Sequence, residues 1–221
     1  MRYVERYSAE APYILIGGWG EDDLKLIEQS IVQIKNKPIG KGLLKKIKEL
    51  STNEKFVKIV CQYRKGHSAR PVLTKSQLKS FEIANVSDDP YDKNHNSLAL
   101  YISSKPLSKS KREGTSALVE FDPSESISIV NGEPKFSNLY KEAFVCLAHE
   151  LIHSLRFLKG NSLAGKGGDI QNPSSYAMQE ENRVVGLGQY AHRTFTENAV
   201  RAEHGLLLRK TYLIPYHLQN L

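Results

Sequence analysis

Two histidines and a glutamate in the segment AHELIHSL, residues 148–155, have the types and spacing of a metal-dependent hydrolytic site. On a helix, residues i and i+4 lie on one face with Cβ atoms about 5–6 Å apart, so His149 and His153 can both offer a ring nitrogen to one metal ion. Glu150 would flank that ion without binding it, in the position of a general base. The apolar residues around the motif would fix such a helix in the core. The alternative is a half-buried amphipathic helix that carries two surface histidines.

A third ligand must come from elsewhere, because a catalytic zinc ion has three protein ligands and one open position. A histidine-continued motif would need glycine at position 156 and histidine at position 159, where the chain has Arg156 and Lys159. A carboxylate from a later segment is therefore required, and EENRVVGLG at 180–188 supplies Glu180 and Glu181. Only one of the two can face the metal, since adjacent helical residues point about 100° apart.

Several spaced blocks carry a resemblance to known proteases. HELIH, EENRVVGLG and TEN…LRKTYL, in that order, resemble the core of the clostridial neurotoxin light chains, which are zinc proteases. The segments GKGLLKKI, HELIHSLR, EENRVVGL and TENAVRAEHG resemble the NleD-type effector proteases, short proteins that Gram-negative bacteria inject by type III secretion. The second resemblance covers most of the chain. The first does not extend to the N-terminal half, and the chain is far shorter than a neurotoxin light chain.

The resemblance implies a Zn²⁺ site with named ligands. In the neurotoxin family the second glutamate of the pair binds the metal, which implies that the ligands here are His149, His153 and Glu181. Glu180 would then support the site without binding the ion. The fold implied is a zincin-like, gluzincin type of α+β domain, in which a small twisted sheet accompanies the active-site helices.

The later block implies further catalytic residues. By the same resemblance Glu197 orders the site, and Arg209 and Tyr212, at positions i and i+3, face the developing oxyanion. Glu150 would take the proton of a water molecule and deliver it to the leaving amine. The implied reaction is zinc-dependent hydrolysis of a peptide bond inside a protein substrate.

The substrate and location also follow from the resemblance. It implies secretion by the type III route into the host cell cytoplasm, and cleavage of JNK and related stress-activated MAP kinases in the activation loop. An extended substrate would lie beside an edge strand of the sheet, and we predict the segment ALVEFDP, residues 117–123, as that strand. One alternative is a zinc protease with a different host target. Another is a metal-free basic binding module in which the histidine helix only packs.

Composition sets the outer limits. A chain of 221 residues with 40% hydrophobic and 25% charged residues is expected to fold as one domain, 1–221, and we expect a monomer. The net charge of +7 favours acidic partners, but no aromatic residues interleave the lysines, so we expect no nucleic-acid binding. Apolar runs are too short for a membrane span, and the N-terminus is not a usual secretory signal. About 15 N-terminal residues are either an export signal or part of the fold.

The hydrophobic periodicity predicts the elements that must position these residues. Helical spacing marks the segment after GGWG, which itself predicts a turn, and then the segment from 43 to 50. Alternation predicts strands in KFVKIVCQY, SLALYISS and SALVEFDP, and a strand that enters an Asn-Gly turn in SISIVNGEPKF. A helix capped by Ser137 or Asn138 should carry the histidines and end at Gly160. A loop over 160–175 and helices over 176–187 and 196–204 complete an α+β pattern.

Overall fold

A computed structural model describes residues 2–80, 91–104 and 113–214 of the chain. The α+β class predicted from the sequence is confirmed. The strands are β1 Val4–Tyr7, β2 Ile14–Gly18, β3 Val57–Cys61, β4 Ser68–Val72, β5 Ser116–Phe121, β6 Ser126–Val130 and β7 Glu133–Ser137. The helices are α1 Glu21–Lys35, α2 Pro38–Leu50, α3 Lys75–Ser80, α4 Asn96–Ser103, α5 Ala143–Leu158, α6 Tyr176–Val185 and α7 Glu197–Glu203.

Five strands form one mixed sheet in the order β1-β2-β3-β5-β4. The three inner strands are parallel, and β1 and β4 pair with them antiparallel at the two edges. The prediction that ALVEFDP forms an edge strand is therefore wrong, because β5 lies between β3 and β4. Five of its six residues are buried, which is typical of an inner strand covered on both faces. The edge near α5 is β4.

The helix that carries the histidines, α5, lies at the centre of the molecule. All 16 of its residues are buried. It packs against β4 and β5 on the sheet and against α1, α2 and α7. The predicted cap at Ser137 or Asn138 is wrong, because Ser137 ends β7 and α5 begins only at Ala143. A helix buried in this way removes most of the surface of its ionisable side chains from water, so a charged side chain without a partner is costly there.

The N-terminal residues form part of the sheet. β1 pairs with β2, and the two glycines predicted to lie in a turn, Gly17 and Gly18, end β2 instead. No helix within the described ranges is long and apolar enough to cross a bilayer.

The segment SLALYISS, predicted as a strand, forms α4 instead. Its buried residues are Ala99 and Ser103, which are four apart, while Tyr101 is 73% exposed. Burial with a spacing of four is helical, and the alternation of residue types did not distinguish it from a strand. The predicted Asn-Gly turn is confirmed: Asn131 and Gly132, with φ of 54° and 89°, join β6 to β7.

The junction between α1 and α2 depends on close packing and on a distant carboxylate. A Cβ at Gly40 would lie 1.9 Å from the carbonyl oxygen of Ile34, so only glycine permits this approach. The first turn of α2 begins at Pro38, and its free N–H groups donate to Glu203 of α7, from Ile39 at 2.7 Å and from Gly40 at 2.9 Å. This contact joins the N-terminal helices to the helix that contributes Glu197.

Glu28 on α1 ties the loop between β1 and β2 to the sheet. It accepts hydrogen bonds from the Arg6 guanidinium at 2.8 Å, the Ser8 hydroxyl at 2.6 Å and the N–H groups of Ala9 and Glu10 at 2.7 and 3.4 Å. Partial burial alone would raise the pKa of Glu28, but these hydrogen bonds lower it below its ordinary value. The folded state therefore favours the ionised carboxylate.

We predict that Glu28→Gln lowers the free energy of unfolding by about 1–3 kcal/mol at pH 7, because charged hydrogen bonds are lost. Since the folded pKa is depressed, the difference from the parent protein should be full above about pH 4.5 and should shrink as the pH falls through the folded value. Urea unfolding at several pH values measures both effects. Glu21→Gln, an exposed change in the same helix, should cost only a few tenths of a kcal/mol. An equal loss in both variants would contradict the prediction.

Candidate metal centre

Three potential metal ligands from two helices meet at one point. The Nε2 atoms of His149 and His153 on α5 lie 3.2 Å apart. Oε2 of Glu181 on α6 lies 3.2 Å from the first and 3.3 Å from the second. Ligand atoms held about 2.0–2.1 Å from a tetrahedral metal lie about 3.3–3.4 Å apart. The three atoms therefore stand at the separations that such an ion requires.

The proton arrangement of His149 supports a cation between these groups. Nδ1 of His149 lies 2.9 Å from a carboxylate oxygen of Glu197, and a carboxylate can only accept. Neutral His149 therefore carries its proton on Nδ1, and its Nε2 presents a lone pair toward the Glu181 carboxylate. Two electron-rich atoms at 3.2 Å repel each other unless a proton or a metal ion lies between them. Burial alone would lower the pKa of His149, but the carboxylates of Glu181 and Glu197 raise it to about 9.

A glutamate contacts the Nδ1 side of the His149 ring, and two arginines contact that glutamate. Glu197, at the start of α7, accepts from Arg201 at 2.7 Å and from Arg209 at 2.9 Å while it contacts His149. Burial alone would raise the pKa of Glu197, but Arg209, His149 and Arg201 hold it well below its ordinary value. The carboxylate is therefore ionised and fixed in orientation, and it sets the plane of the imidazole.

A second glutamate lies beside His153, at ion-pair distance from the ring and not at hydrogen-bond distance, and an arginine contacts that glutamate. Oε1 of Glu180 lies 3.7 Å from Nδ1 of His153. Arg156 grips that carboxylate with two donors, Nε to Oε1 and Nη2 to Oε2, the latter at 2.7 Å, and the Leu163 N–H adds a bond of 2.8 Å. Burial would raise the pKa of Glu180, but His153 and Arg156 lower it. Glu180 is thus directed away from the point where Glu181 meets the two histidines.

Charge is not balanced within the cluster. Glu180 and Glu197 are matched by guanidinium groups, but neither Glu150 nor Glu181 has an arginine or lysine partner among the described residues. Burial raises the pKa of Glu150. A dication at the ligand atoms would neutralise this local excess of carboxylates. The donors and charges present therefore fit a metal ion.

An open cleft of about 840 Å³ runs past the candidate centre. His149, Glu150, Arg209 and Tyr212 line it. The Tyr212 ring stacks near the His149 ring with centroids 6.4 Å apart, and burial raises the pKa of its hydroxyl. The Arg209 guanidinium lies at the same wall, where it donates to Glu197 and to the carbonyl oxygens of residues 211 and 212. The structure thus brings all the residues singled out in the sequence into one region.

Sequence reasoning missed three residues of this region. Arg201 could have been found, because Glu197 and Arg201 are an i, i+4 pair of opposite charge. Arg156 gave no comparable signal, since its partner Glu180 lies 24 positions away. His67 also gave no signal, since no other candidate ligand stands at a helical spacing from it, and it lines the cleft beside His149 and Glu150. Burial lowers its pKa to about 4, and its Nδ1 accepts from the N–H of Asp122 at 3.3 Å.

Comparison with known proteins assigns a family. The model of the family Peptidase M91, described as effector protein, matches residues 21–212. The chain belongs to this family. The match spans nearly the whole chain and includes every residue of the candidate centre. The expected membership of the NleD-type effector peptidases is thereby confirmed. No curated protein matches the chain significantly.

Solved structures to which the chain is similar include domains of botulinum neurotoxins. The catalytic domain of Clostridium botulinum neurotoxin serotype F is 18% identical, with 76% of this chain and 43% of that chain covered and a TM-score of 0.43. A serotype F light chain is 14% identical, with 87% and 68% covered and a TM-score of 0.45. A serotype HA light chain is 15% identical, with 88% and 52% covered and a TM-score of 0.37. The chain thus spans about two fifths to two thirds of the length of these proteins.

Because Glu181 meets the two imidazoles and Glu180 turns toward Arg156, the two adjacent glutamates should differ in their effect on metal binding. We predict that Glu180→Gln weakens zinc binding by about 10- to 100-fold, as changes behind a ligand do, and that Glu181→Ala weakens it more. Competition with a chromophoric chelator measures both affinities, and thermal unfolding reports whether each variant is folded. An equal or larger loss in folded Glu180→Gln would contradict the assignment.

Proposed function

We propose that this effector peptidase is a zinc-dependent endopeptidase that is delivered by type III secretion and cleaves a signalling protein of the host cell. Stress-activated MAP kinases such as JNK are the substrates that the sequence resemblance favours. One observation supports the proposal above the others: two histidines on a buried helix and a glutamate on the next helix converge within 3.3 Å, and a further buried glutamate stands beside them.

His149, His153 and Glu181 would hold the ion, and Glu197 and Glu180 would orient the two rings. When bound, Zn²⁺ supplies a Lewis acid that allows a water molecule to lose a proton near neutral pH. Zinc suits this donor set, because two imidazoles and one carboxylate leave a fourth position open for water or substrate.

Glu150 is the proposed general base. It follows His149 in the sequence, so it lies on the adjacent side of α5, and it lines the cleft. Its lack of an arginine or lysine partner among the described residues leaves the carboxylate available to accept a proton. Its burial raises its pKa and so makes the carboxylate a stronger base toward the water proton. Glu150 would later pass that proton to the leaving nitrogen.

Arg209 and Tyr212 would act at the oxyanion. The Tyr212 hydroxyl is a donor kept protonated by burial. Arg209 places positive charge at the same wall, and its bonds to Glu197 and to the carbonyl of Tyr212 fix the tyrosine relative to His149. A substrate in extended form would pair with β4 on the side where no strand of the described residues pairs with it, since β4 is the edge strand nearest the centre.

The metal and base roles predict different outcomes for two variants. Glu150→Gln keeps the size of the side chain and should retain one zinc ion per chain while cleavage falls by about 100-fold or more. His149→Ala should lose the zinc as well. Zinc content by plasma mass spectrometry and labelling of new protein N-termini in a host-cell lysate measure the two properties without a known substrate. Full cleavage by Glu150→Gln would refute its role, and a metal-free but active parent protein would refute the proposed function.

The substrate is tested separately. Purified JNK incubated with the parent protein should be cut within its activation loop, and mass spectrometry should locate a single site that is absent with Glu150→Gln. Intact JNK together with new N-termini in other lysate proteins would leave the zinc protease in place and reject this substrate. No new N-termini with zinc-loaded protein would reject the protease, and the metal-free binding module would be favoured only if the parent protein also failed to bind zinc.

A further inference from the structure

A second cavity lies beside the C-terminal end of α5 and has a strongly basic wall. Its volume is about 360 Å³, within the range of about 300–1,000 Å³ common for small-ligand sites. The end of α5, the helix α6 and the segment 192–195 before α7 enclose it. Its basic residues are Arg156, Lys159, Arg183, His192 and Arg193. No acidic residue lines it among the residues that the structure describes.

Most of this positive charge is not neutralised by the protein. Arg156 is matched by Glu180, but within the described part of the chain Lys159, Arg183 and Arg193 form no ion pair. The Arg193 guanidinium lies over the Tyr190 ring, 5.5 Å from its centroid, which positions the group without cancelling its charge. The cavity thus holds three fixed cations that repel one another.

Charges on neighbouring elements act on Lys159 in the same sense. Its pKa is lowered first by partial burial and then by the cations Lys46, Arg156 and Arg183, while Glu49 opposes them. Helix C-termini attract cations, which accounts for two of the basic residues around the cavity: Lys159 follows α5, and Arg183 lies in the last turn of α6. This attraction does not account for Arg193, which lies on a loop and faces the same cavity.

We propose that this cavity binds a compact anion with two or more phosphoryl groups. Guanidinium groups match phosphate oxygens with paired hydrogen bonds, and each phosphoryl group carries a charge of about −1.5 to −2, so two are needed to balance three fixed cations. The Thr194 hydroxyl and the Asn161 amide offer neutral donors at the same wall. Ile152, Leu155 and Phe195 add apolar surface for the scaffold that carries the phosphates.

The test uses the zinc-loaded full chain and inorganic pyrophosphate as the probe. Isothermal titration calorimetry should show one site. The double change Lys159→Gln with Arg193→Gln should weaken binding by about tenfold or more, which corresponds to about 1.4 kcal/mol for the two exposed charged contacts together. Both side chains are exposed, so the fold should be unchanged in circular dichroism. Arg2→Gln with Lys75→Gln removes the same charge from exposed positions outside the cavity and should bind like the parent.

The outcomes separate this site from the metal centre and from general charge. Binding that persists in the Lys159/Arg193 double variant would place the pyrophosphate elsewhere, the zinc ion included, and would overturn the proposal. Equal weakening in the Arg2/Lys75 control would do the same. Vesicles that contain a phosphatidylinositol bisphosphate are a second probe. If the vesicles retain the parent protein and the Arg2/Lys75 control but not the Lys159/Arg193 variant, the ligand is a lipid headgroup. If the protein binds pyrophosphate but not the vesicles, the ligand is a free phosphorylated molecule. Failure of both probes to bind would reject the site.

Discussion

The arrangement around α5 depends on one constraint: two histidines on a buried helix need polar partners within the protein. A buried imidazole needs a hydrogen-bond or charge partner for its Nδ1 atom if its Nε2 atom is to be held toward a metal ion. Glu197 lies 2.9 Å from Nδ1 of His149 on α5, and Glu180 lies 3.7 Å from Nδ1 of His153. One or two arginines in turn neutralise each glutamate. His149 is held by Glu197 with Arg201 and Arg209, and His153 is held by Glu180 with Arg156. These two chains of contacts fix the point at which the rings converge.

Two short helices with strong caps, α6 and α7, supply these glutamates. α6 begins where the Ser175 hydroxyl accepts from the Met178 N–H, and it ends at Gly186 in the left-handed conformation. α7 begins where Thr196 accepts from the N–H of Ala199. Caps of this kind define the first and last residues of a helix, and a shift of one residue turns a side chain by about 100°. Short capped helices therefore deliver their glutamates with a fixed direction.

The local part of this arrangement could be predicted from the sequence, and the long-range part could not. The spacing of His149 and His153 is a property of one helix, so the sequence pattern alone indicated that both could bind the same metal ion. The choice between Glu180 and Glu181 stayed open from spacing, because rotation of α6 decides it and that rotation depends on Arg156, 24 residues earlier. The resemblance to known proteases favoured Glu181, and the geometry agrees with it.

The order of the strands in the sheet could not be predicted from the sequence either. SALVEF was predicted as a strand and forms one, but its place in the sheet depends on β4, which alternation did not reveal. In the order β3-β5-β4, β5 inserts between two strands that precede it in the chain, and no local pattern in β5 indicates this position. In the segment that forms α4, alternating residue types were compatible with either periodicity, and tertiary packing selected the helix. Strand position and helix rotation are both decided by contacts between distant segments.

Arg156 lies between the metal centre and the basic cavity, so the two sites raise the question of communication. Its guanidinium lines the cavity, yet it grips Glu180 with two buried bonds, and removal of one partner of such a pair costs about 3–5 kcal/mol. A contact between an exposed cation and an anion returns about 1 kcal/mol or less. An anion in the cavity therefore cannot draw Arg156 away from Glu180, and it must rely on Lys159, Arg183 and Arg193. The buried pair insulates His153 from the cavity, so the two sites can share a wall while binding their ligands independently.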